Sequence, residues 1–314
     1  MKSSNYINKK STDRSKLLTE EINTNSIGLD QMNTRELVNL FSLEDLEPQK
    51  AVKKSLNDII EAIDNIVYRL EKGGKLFYIG AGTSGRLGVL DASECPPTFC
   101  TSPDLVQGII AGGEKSLTSS SEELEDSNLL AIKDLKSRNF SEKDILIGIS
   151  AGGTTNYVKS GLEYSLSIKA LAISISCVPK SQIKIPADID IRLLTGPEIL
   201  AGSTRLKAGT ATKMALNMIS TSVMIKLGKV YGNLMVDLST SNQKLLDRGI
   251  RIITLLTNVN RELAISTLFN SGGSVKLALV MLLKKVNKEE AELLLKTNNN
   301  QLHRILDKTT FCTF

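Results

Sequence analysis

The feature that most constrains this chain is a rhythm that starts at Lys75. Short apolar runs at 76–79, 105–111, 145–149, 170–176 and 189–193 are separated by small or polar clusters and by stretches with helical spacing. Apolar runs this short, with no polar alternation, suit strands buried on both faces. The pattern predicts an α/β doubly wound fold, a parallel sheet with helices on both sides. In such folds ligands sit beyond the carboxyl ends of the strands, where the small-residue clusters fall here.

Around that core the chain divides into four parts. Residues 1–16 read as a flexible polar arm, 17–74 as an N-terminal helical segment, 75–241 as the sheet domain and 242–314 as a small helical domain. In the second part a short helix is expected over 34–41. After Pro48 the spacing of Val52, Leu56, Ile59, Ile60, Ile63, Val67 and Leu70 predicts one amphipathic helix, ended by Gly73-Gly74. A long helix over 206–227 carries Ala211, Met214, Ala215, Met218, Ile219 and Ser222 along one stripe, read as core and as a candidate subunit interface. The tail reads as helices at 261–269, 274–284 and 288–296, a three-helix bundle rather than a repeat array.

Composition narrows the partners. The net charge of +5 is spread over 314 residues without a basic run longer than a pair, which argues against nucleic acid. Aromatics make up 4% and Trp is absent, so a small polar substrate suits the chain better than a stacked polymer. The N-terminus lacks an apolar leader and no stretch of 18 apolar residues occurs, so the expectation is a cytoplasmic protein with no membrane partner. Four Cys without a CxxC, and a single His, give no support for a metal site or a disulfide framework.

Chemistry concentrates in three loops. Gly80-Ala-Gly82-Thr83-Ser84-Gly85-Arg86 follows the first strand and opens a helix, formally a GxGxxG. A dinucleotide site wants an acid about 20 positions on, at the end of the second strand. That strand ends in Ile110-Ala-Gly-Gly, with Glu114 arriving late. Helix-end amides beside Thr83 and Ser84 hydroxyls suit the phosphate monoester of a sugar instead. Ser150-Ala-Gly152-Gly153-Thr154-Thr155-Asn156 follows the third strand and can close on the same anion. Gly196-Pro-Glu198-Ile-Leu-Ala-Gly202-Ser203-Thr204-Arg205-Leu-Lys207 mixes permissive backbone with an acid, hydroxyls and cations, a composition suited to closing over a polar ligand.

Two carboxylates stand apart as a candidate general acid and base. Glu94 lies in Asp91-Ala-Ser-Glu94-Cys95-Pro96-Pro97, where two prolines fix the following backbone; Glu125 lies in Glu122-Glu-Leu-Glu125-Asp126-Ser127. Cys95 has no neighbouring base and reads as structural. His303, far downstream in the tail, reads as a surface or packed residue.

The segments Gly80 to Thr98, Glu125-Asp126-Ser127 and Gly196 to Thr210 closely resemble the N-acetylmuramic acid 6-phosphate etherases, and the similarity runs from Thr19-Glu20-Glu21-Ile22-Asn23 through the tail. The resemblance implies a sugar isomerase (SIS) fold, a ubiquitin-associated (UBA)-like three-helix tail and a homodimer. It implies a lyase that splits the D-lactyl ether of N-acetylmuramic acid 6-phosphate, without cofactor or metal. By motif position the proton donor falls on Glu94 and the second glutamate, cast as the base at C2, on Glu125. A donor needs its pKa raised, by burial or by a neighbouring carboxylate such as Asp91 or Glu125. Substrate contacts fall on Gly82, Thr83, Ser84, Thr155, Glu198 and Ser203. Family members commonly carry Ser-Gly-Arg-Thr-Pro in the second loop, where this chain has Gly152-Gly153-Thr154-Thr155-Asn156. The expected consequence is a weaker hold on phosphate, by about 1.5–3 kcal/mol for one charged hydrogen bond, with Ser150 as the available substitute hydroxyl. The related glucokinase regulatory proteins bind sugar phosphates without turnover, but their chains carry two SIS modules and are longer. A phosphosugar isomerase is the third reading, separated by releasing no lactate.

Overall fold

In a computed structural model the described residues are 14–119, 128–238 and 242–306. In chain order the elements are α1 (Thr34–Glu44), α2 (Glu47–Lys54), α3 (Leu56–Glu71), β1 (Leu76–Gly80), α4 (Gly82–Phe99), β2 (Val106–Ile110), α5 (Lys115–Thr118), α6 (Asn128–Ser137), β3 (Ile145–Ile149), α7 (Asn156–Ser167), β4 (Leu171–Ser176), β5 (Ile189–Arg192), α8 (Lys207–Lys226), β6 (Val230–Tyr231), β7 (Leu234–Met235), α9 (Gln243–Thr257), α10 (Arg261–Asn270), α11 (Val275–Lys284), α12 (Lys288–Thr297) and α13 (Leu302–Ile305). The chain forms two compact units, one of Met1–Glu61, Phe77–Val89 and Ile109–Leu216, the other of Ala62–Leu76, Leu90–Gly108 and Asn217–Phe314.

The five apolar runs are the five strands, each within two residues of its predicted bounds. Sheet order is β2-β1-β3-β4-β5, and β3, β4 and β5 pair in parallel, with Ile147 opposite Ile173 and Ile175 opposite Ile191. Every residue of β1, β3 and β4 is buried, as continuous apolar strands between helical layers require. Because β2 lies on one side of β1 and β3 on the other, the order reverses between β1 and β3, the position at which open α/β sheets bind ligands beyond the strands' carboxyl ends.

The N-terminal helices depart from the pattern in one respect. α1 starts in a capping box, with Asn33 and Glu36 exchanging side-chain and backbone hydrogen bonds. The single helix expected after Pro48 is two. The break falls at Ser55, the C-cap of α2, whose buried hydroxyl donates to the Arg192 carbonyl at 2.7 Å, a long-range bond that local periodicity cannot encode. In α3 the buried stripe is Ile59, Ala62, Ile63, Ile66 and Leu70, while Ile60 lies outside it at 54% exposed. Gly73, at φ +84°, ends α3 as expected, and Gly74 N–H donates back to the Arg69 carbonyl.

α8 matches its prediction in length but not in face. Ala211, Ala215, Ile219 and Val223 are sealed, whereas Met218 is exposed and Met214 and Ser222 are only half buried. The buried arc is centred on the small and branched residues with Met224, while Met214 and Met218 lie at its rim.

In the second unit the tail helices bury Ile253, Ala264, Leu268, Ala278, Val280 and Leu302 in one cluster. Missed from sequence is the two-stranded β6–β7 pair before them, with Gly232 at φ +57° in its turn. Lys276 of α11, 4% exposed, donates to the Gly228 carbonyl (2.9 Å) and to Asp237 (2.6 Å), fixing the residues that flank this pair. Among the described residues no single helix is long and apolar enough to cross a membrane. The α10–α11 pair passes that test by length and composition alone, bends by 113°, and contributes Ala264 and Ala278 to the protein core.

Candidate active site

The loop after β1 owes its shape to close approach. A Cβ on Gly85 would stand 2.6 Å from the Gly80 carbonyl oxygen and 2.7 Å from Ile110, and one on Gly80 would stand 2.7 Å from the Gly85 nitrogen. The first and last glycines of the GxGxxG are therefore required so that α4 can rest on the strands, while Gly82 takes a left-handed φ of +50° at the helix start. Gly85 N–H donates to the Ala81 carbonyl and closes the first turn. The amides before it head α4, beside the half-buried Thr83 and Ser84.

Across the switch point, the loop after β3 turns at Gly153 (φ +66°), whose N–H donates to the Ser150 carbonyl. Ser150 Oγ donates to Thr155 Oγ1 at 3.0 Å, which leaves the Thr155 proton free. Thr155 is the N-cap of α7, yet its side chain makes no capping bond. The amides at the head of α7 thus keep their capacity for an anion.

The third loop differs from expectation at Glu198. Its carboxylate accepts from Lys207 N–H and Ala208 N–H, both at 2.9 Å, and the residue is 1% exposed. Glu198 caps α8 and gives the loop its form instead of presenting a carboxylate to solvent. Burial pushes its pKa up, with the two amides and Lys207 pulling in the opposite direction. Lys207, 2% exposed, reaches Glu44 of α1 at 2.5 Å, and Glu44 also accepts from Asn23 and Asn25, both at 2.8 Å. Burial raises the Glu44 pKa, but the bonds from Asn25, Lys207 and Asn23 outweigh it and hold the carboxyl below its ordinary value. Ser203 stays half buried, and the Thr83 methyl lies 3.7 Å from where a Gly209 Cβ would stand, so the first and third loops adjoin.

Glu94 rides on α4, which continues through Pro96 and Pro97 to Phe99. It is exposed, and so lacks the burial expected to tune a proton donor. The buried neighbour Asp91 accepts from Asn217 (2.7 Å) and Ser220 (3.1 Å) of α8. Eleven residues separate Glu94 from Thr83, about 16 Å along the helix axis at 1.5 Å per residue. Cys95, 2% exposed, has its thiol pushed up to about 12 by burial and then by Asp91 and Glu94, which fits a structural residue. His303 is exposed. Glu125 lies outside the described residues.

Comparison with known proteins decides the family. A profile of the SIS domain matches residues 120–222, and one of the glucokinase regulatory protein N-terminal SIS domain matches residues 58–166. A protein of Prochlorococcus marinus strain NATL1A named N-acetylmuramic acid 6-phosphate etherase is 62% identical over 93% of this chain and 94% of its own. A protein of the same name from Synechococcus sp. strain CC9902 is 57% identical over 95% and 94%. This chain belongs to the N-acetylmuramic acid 6-phosphate etherase family. Among solved structures, a phosphoheptose isomerase from Neisseria gonorrhoeae aligns with TM-score 0.44 and 16% identity, over 60% of this chain and all of that one.

In this N-acetylmuramic acid 6-phosphate etherase family member, Gly82, Thr83 and Ser84 follow β1, Thr155 follows β3 and Ser203 follows β5. Arg86, read from sequence as the cation beside the helix start, is spent on the protein itself, donating to the carbonyls of Leu117 (3.0 Å) and Ser119 (3.1 Å) at the end of α5. Two further residues of this framework were not picked out from sequence. Glu44 gave no signal in an ordinary amphipathic helix. Thr19 stood in the quoted Thr19-Glu20-Glu21-Ile22-Asn23 segment, but nothing in its spacing marked it.

Proposed function

We propose that the chain cleaves the D-lactyl ether of N-acetylmuramic acid 6-phosphate to give N-acetylglucosamine 6-phosphate and D-lactate, as in peptidoglycan amino-sugar recycling. The observation that carries this reading is the near full-length identity to proteins of that name. The site adds chemical support. The helix-end amides at Gly82 and the hydroxyls of Thr83, Ser84, Thr155 and Ser203 suit a phosphate and the polar groups of an open-chain sugar.

In that chain form the C1 aldehyde acidifies the C2 proton. Glu125 as carboxylate removes it, the C3–O bond breaks, and Glu94 delivers a proton to the departing lactate oxygen. Glu94, now a carboxylate, takes a proton from the water that adds at C3, while C2 regains a proton from Glu125. Both acids end as they began, so the cycle closes.

We place the enzyme in the cytoplasm as a homodimer. The apolar side chains Val38, Leu43 and Leu46 on and just after α1 are exposed, at 62, 67 and 56%, apolar surface that a second copy would cover. Gel filtration giving the mass of one chain would overturn this part.

The decisive experiment is D-lactate release from N-acetylmuramic acid 6-phosphate, with Glu94→Gln and Glu125→Gln assayed alongside. Release by the wild type and its loss in both variants is expected. Near-normal turnover by either variant would remove that residue from the mechanism. Sugar-phosphate binding without any release would favour a sensor.

A further inference from the structure

We propose that Thr19, on the N-terminal strap before α1, donates a hydrogen bond to the substrate phosphate at the loop between β3 and α7. The inference rests on the reading above that this loop takes a sugar phosphate, and it adds a residue to the site.

Thr19 is 1% exposed, and its hydroxyl has no hydrogen-bond partner. Buried hydroxyls almost always have one, so an orphan calls for an explanation. Its surroundings supply one. A Cβ placed on Gly152 would stand 3.6 Å from Thr19 Oγ1 and 3.8 Å from Thr154 Oγ1. With glycine there, no side chain stands between the Thr19 hydroxyl and the loop backbone. The same loop leads into α7, a helix of 12 residues with no acid in its first turn and no side-chain cap on its amides. The orphan donor therefore lies against the loop whose end supplies uncapped helix-end amides, and both suit an acceptor rich in lone pairs.

The strap is held on either side of Thr19. Leu18 N–H donates to Gln182 Oε1 (2.9 Å), and Gln182 Nε2 donates to the Lys16 carbonyl (2.8 Å). Asn23 Nδ2 donates to the Pro197 carbonyl (3.3 Å) and to Glu44. The Glu20 carboxylate lies instead 3.1 Å from the Cβ position of Gly202, against the other loop. So fixed, the strap holds Thr19 against this loop before any substrate arrives.

The test compares Thr19→Val, which keeps shape and loses the hydroxyl, with Thr19→Ser, which keeps the hydroxyl. For each, melting temperature is measured alone and with N-acetylglucosamine 6-phosphate, and kcat and KM are taken from D-lactate release. Thr19→Val should melt no lower than wild type, since the unbound protein loses no hydrogen bond. Its KM should rise roughly tenfold or more, with kcat within about twofold, and its ligand-induced stabilisation should shrink. Thr19→Ser should follow the wild type in all of these.

Gly152→Ala is an independent check, because its methyl meets only ordinary contacts yet screens the hydroxyl; the same rise in KM is expected. Unchanged KM and ligand stabilisation in Thr19→Val would overturn the proposal, as would Thr19→Ser behaving like Thr19→Val. If the wild type binds the sugar phosphate but releases no lactate, the etherase reading fails while the binding comparison still judges Thr19.

Discussion

Lys207 Nζ stands 2.5 Å from Glu44 Oε2, with the two side chains 2% and 9% exposed. A buried charge pair therefore ties the head of α8 to the end of α1, behind the third loop of the site. Removing one partner strands the other, so Lys207→Met should cost about 3–5 kcal/mol, read by urea denaturation. The double variant Lys207→Met/Glu44→Leu should recover much of that loss. A double variant no more stable than the single one would show that the pair contributes more than mutual neutralisation.

Glu44 and Glu198 should respond to pH in opposite senses. The Glu44 carboxyl is held below its ordinary value of 4.5 in the folded chain, so its contribution is full above that value and is lost as pH falls through the folded pKa. The Glu198 carboxyl is raised, so its contribution is greatest in acid and is lost as pH rises through the folded pKa. Melting temperature across the acid range should part from wild type as pH rises for both variants, Glu44→Gln falling below wild type and Glu198→Gln gaining relative to it.

Gly85→Ala forces a methyl carbon to within 2.6 Å of a backbone oxygen, a clash that only movement of α4 relieves. Overpacking of this kind costs about 1–3 kcal/mol. Displacing the head of α4 also displaces Thr83 and Ser84, so the expected outcome is a lower melting temperature together with a raised KM. A raised KM without loss of stability would mean that the methyl is absorbed locally.

Thiol chemistry should discriminate among the cysteines. Cys95 and Cys177 have thiols pushed up to about 12 by burial, helped by Asp91 and Glu94 in the first case and by Glu198 in the second. Neither offers appreciable thiolate near neutrality. Cys100 is exposed. Labelling of the native protein with a thiol reagent at neutral pH, followed by peptide mass spectrometry, should mark Cys100 and spare both buried residues; modification of Cys95 would contradict its sealed position.

The sheet was legible in the sequence because a strand buried on both faces must be continuously apolar, and the runs ending at Ile79, Ile149 and Ser176 have no other economical reading. The first loop was legible as well, since only glycine permits the contact between Gly80 and Gly85. The family resemblance carried the activity.

What local pattern could not carry was anything settled by residues far apart in the chain. The helix breaks at Ser55, whose hydroxyl meets the carbonyl of Arg192, 137 positions on. Glu198 reads from sequence as an acid in a binding loop, but the fold uses it to cap the helix that begins nine residues later. Glu44 looks like a surface charge until Lys207 meets it, and Thr19 looks like any loop threonine until Gly152 comes to lie beside its unpaired hydroxyl. Periodicity and glycine placement record the constraints a residue imposes on its own neighbourhood. The partner of a buried polar group is chosen by chain closure in three dimensions, and low dielectric makes that choice the one that decides the group's charge and role.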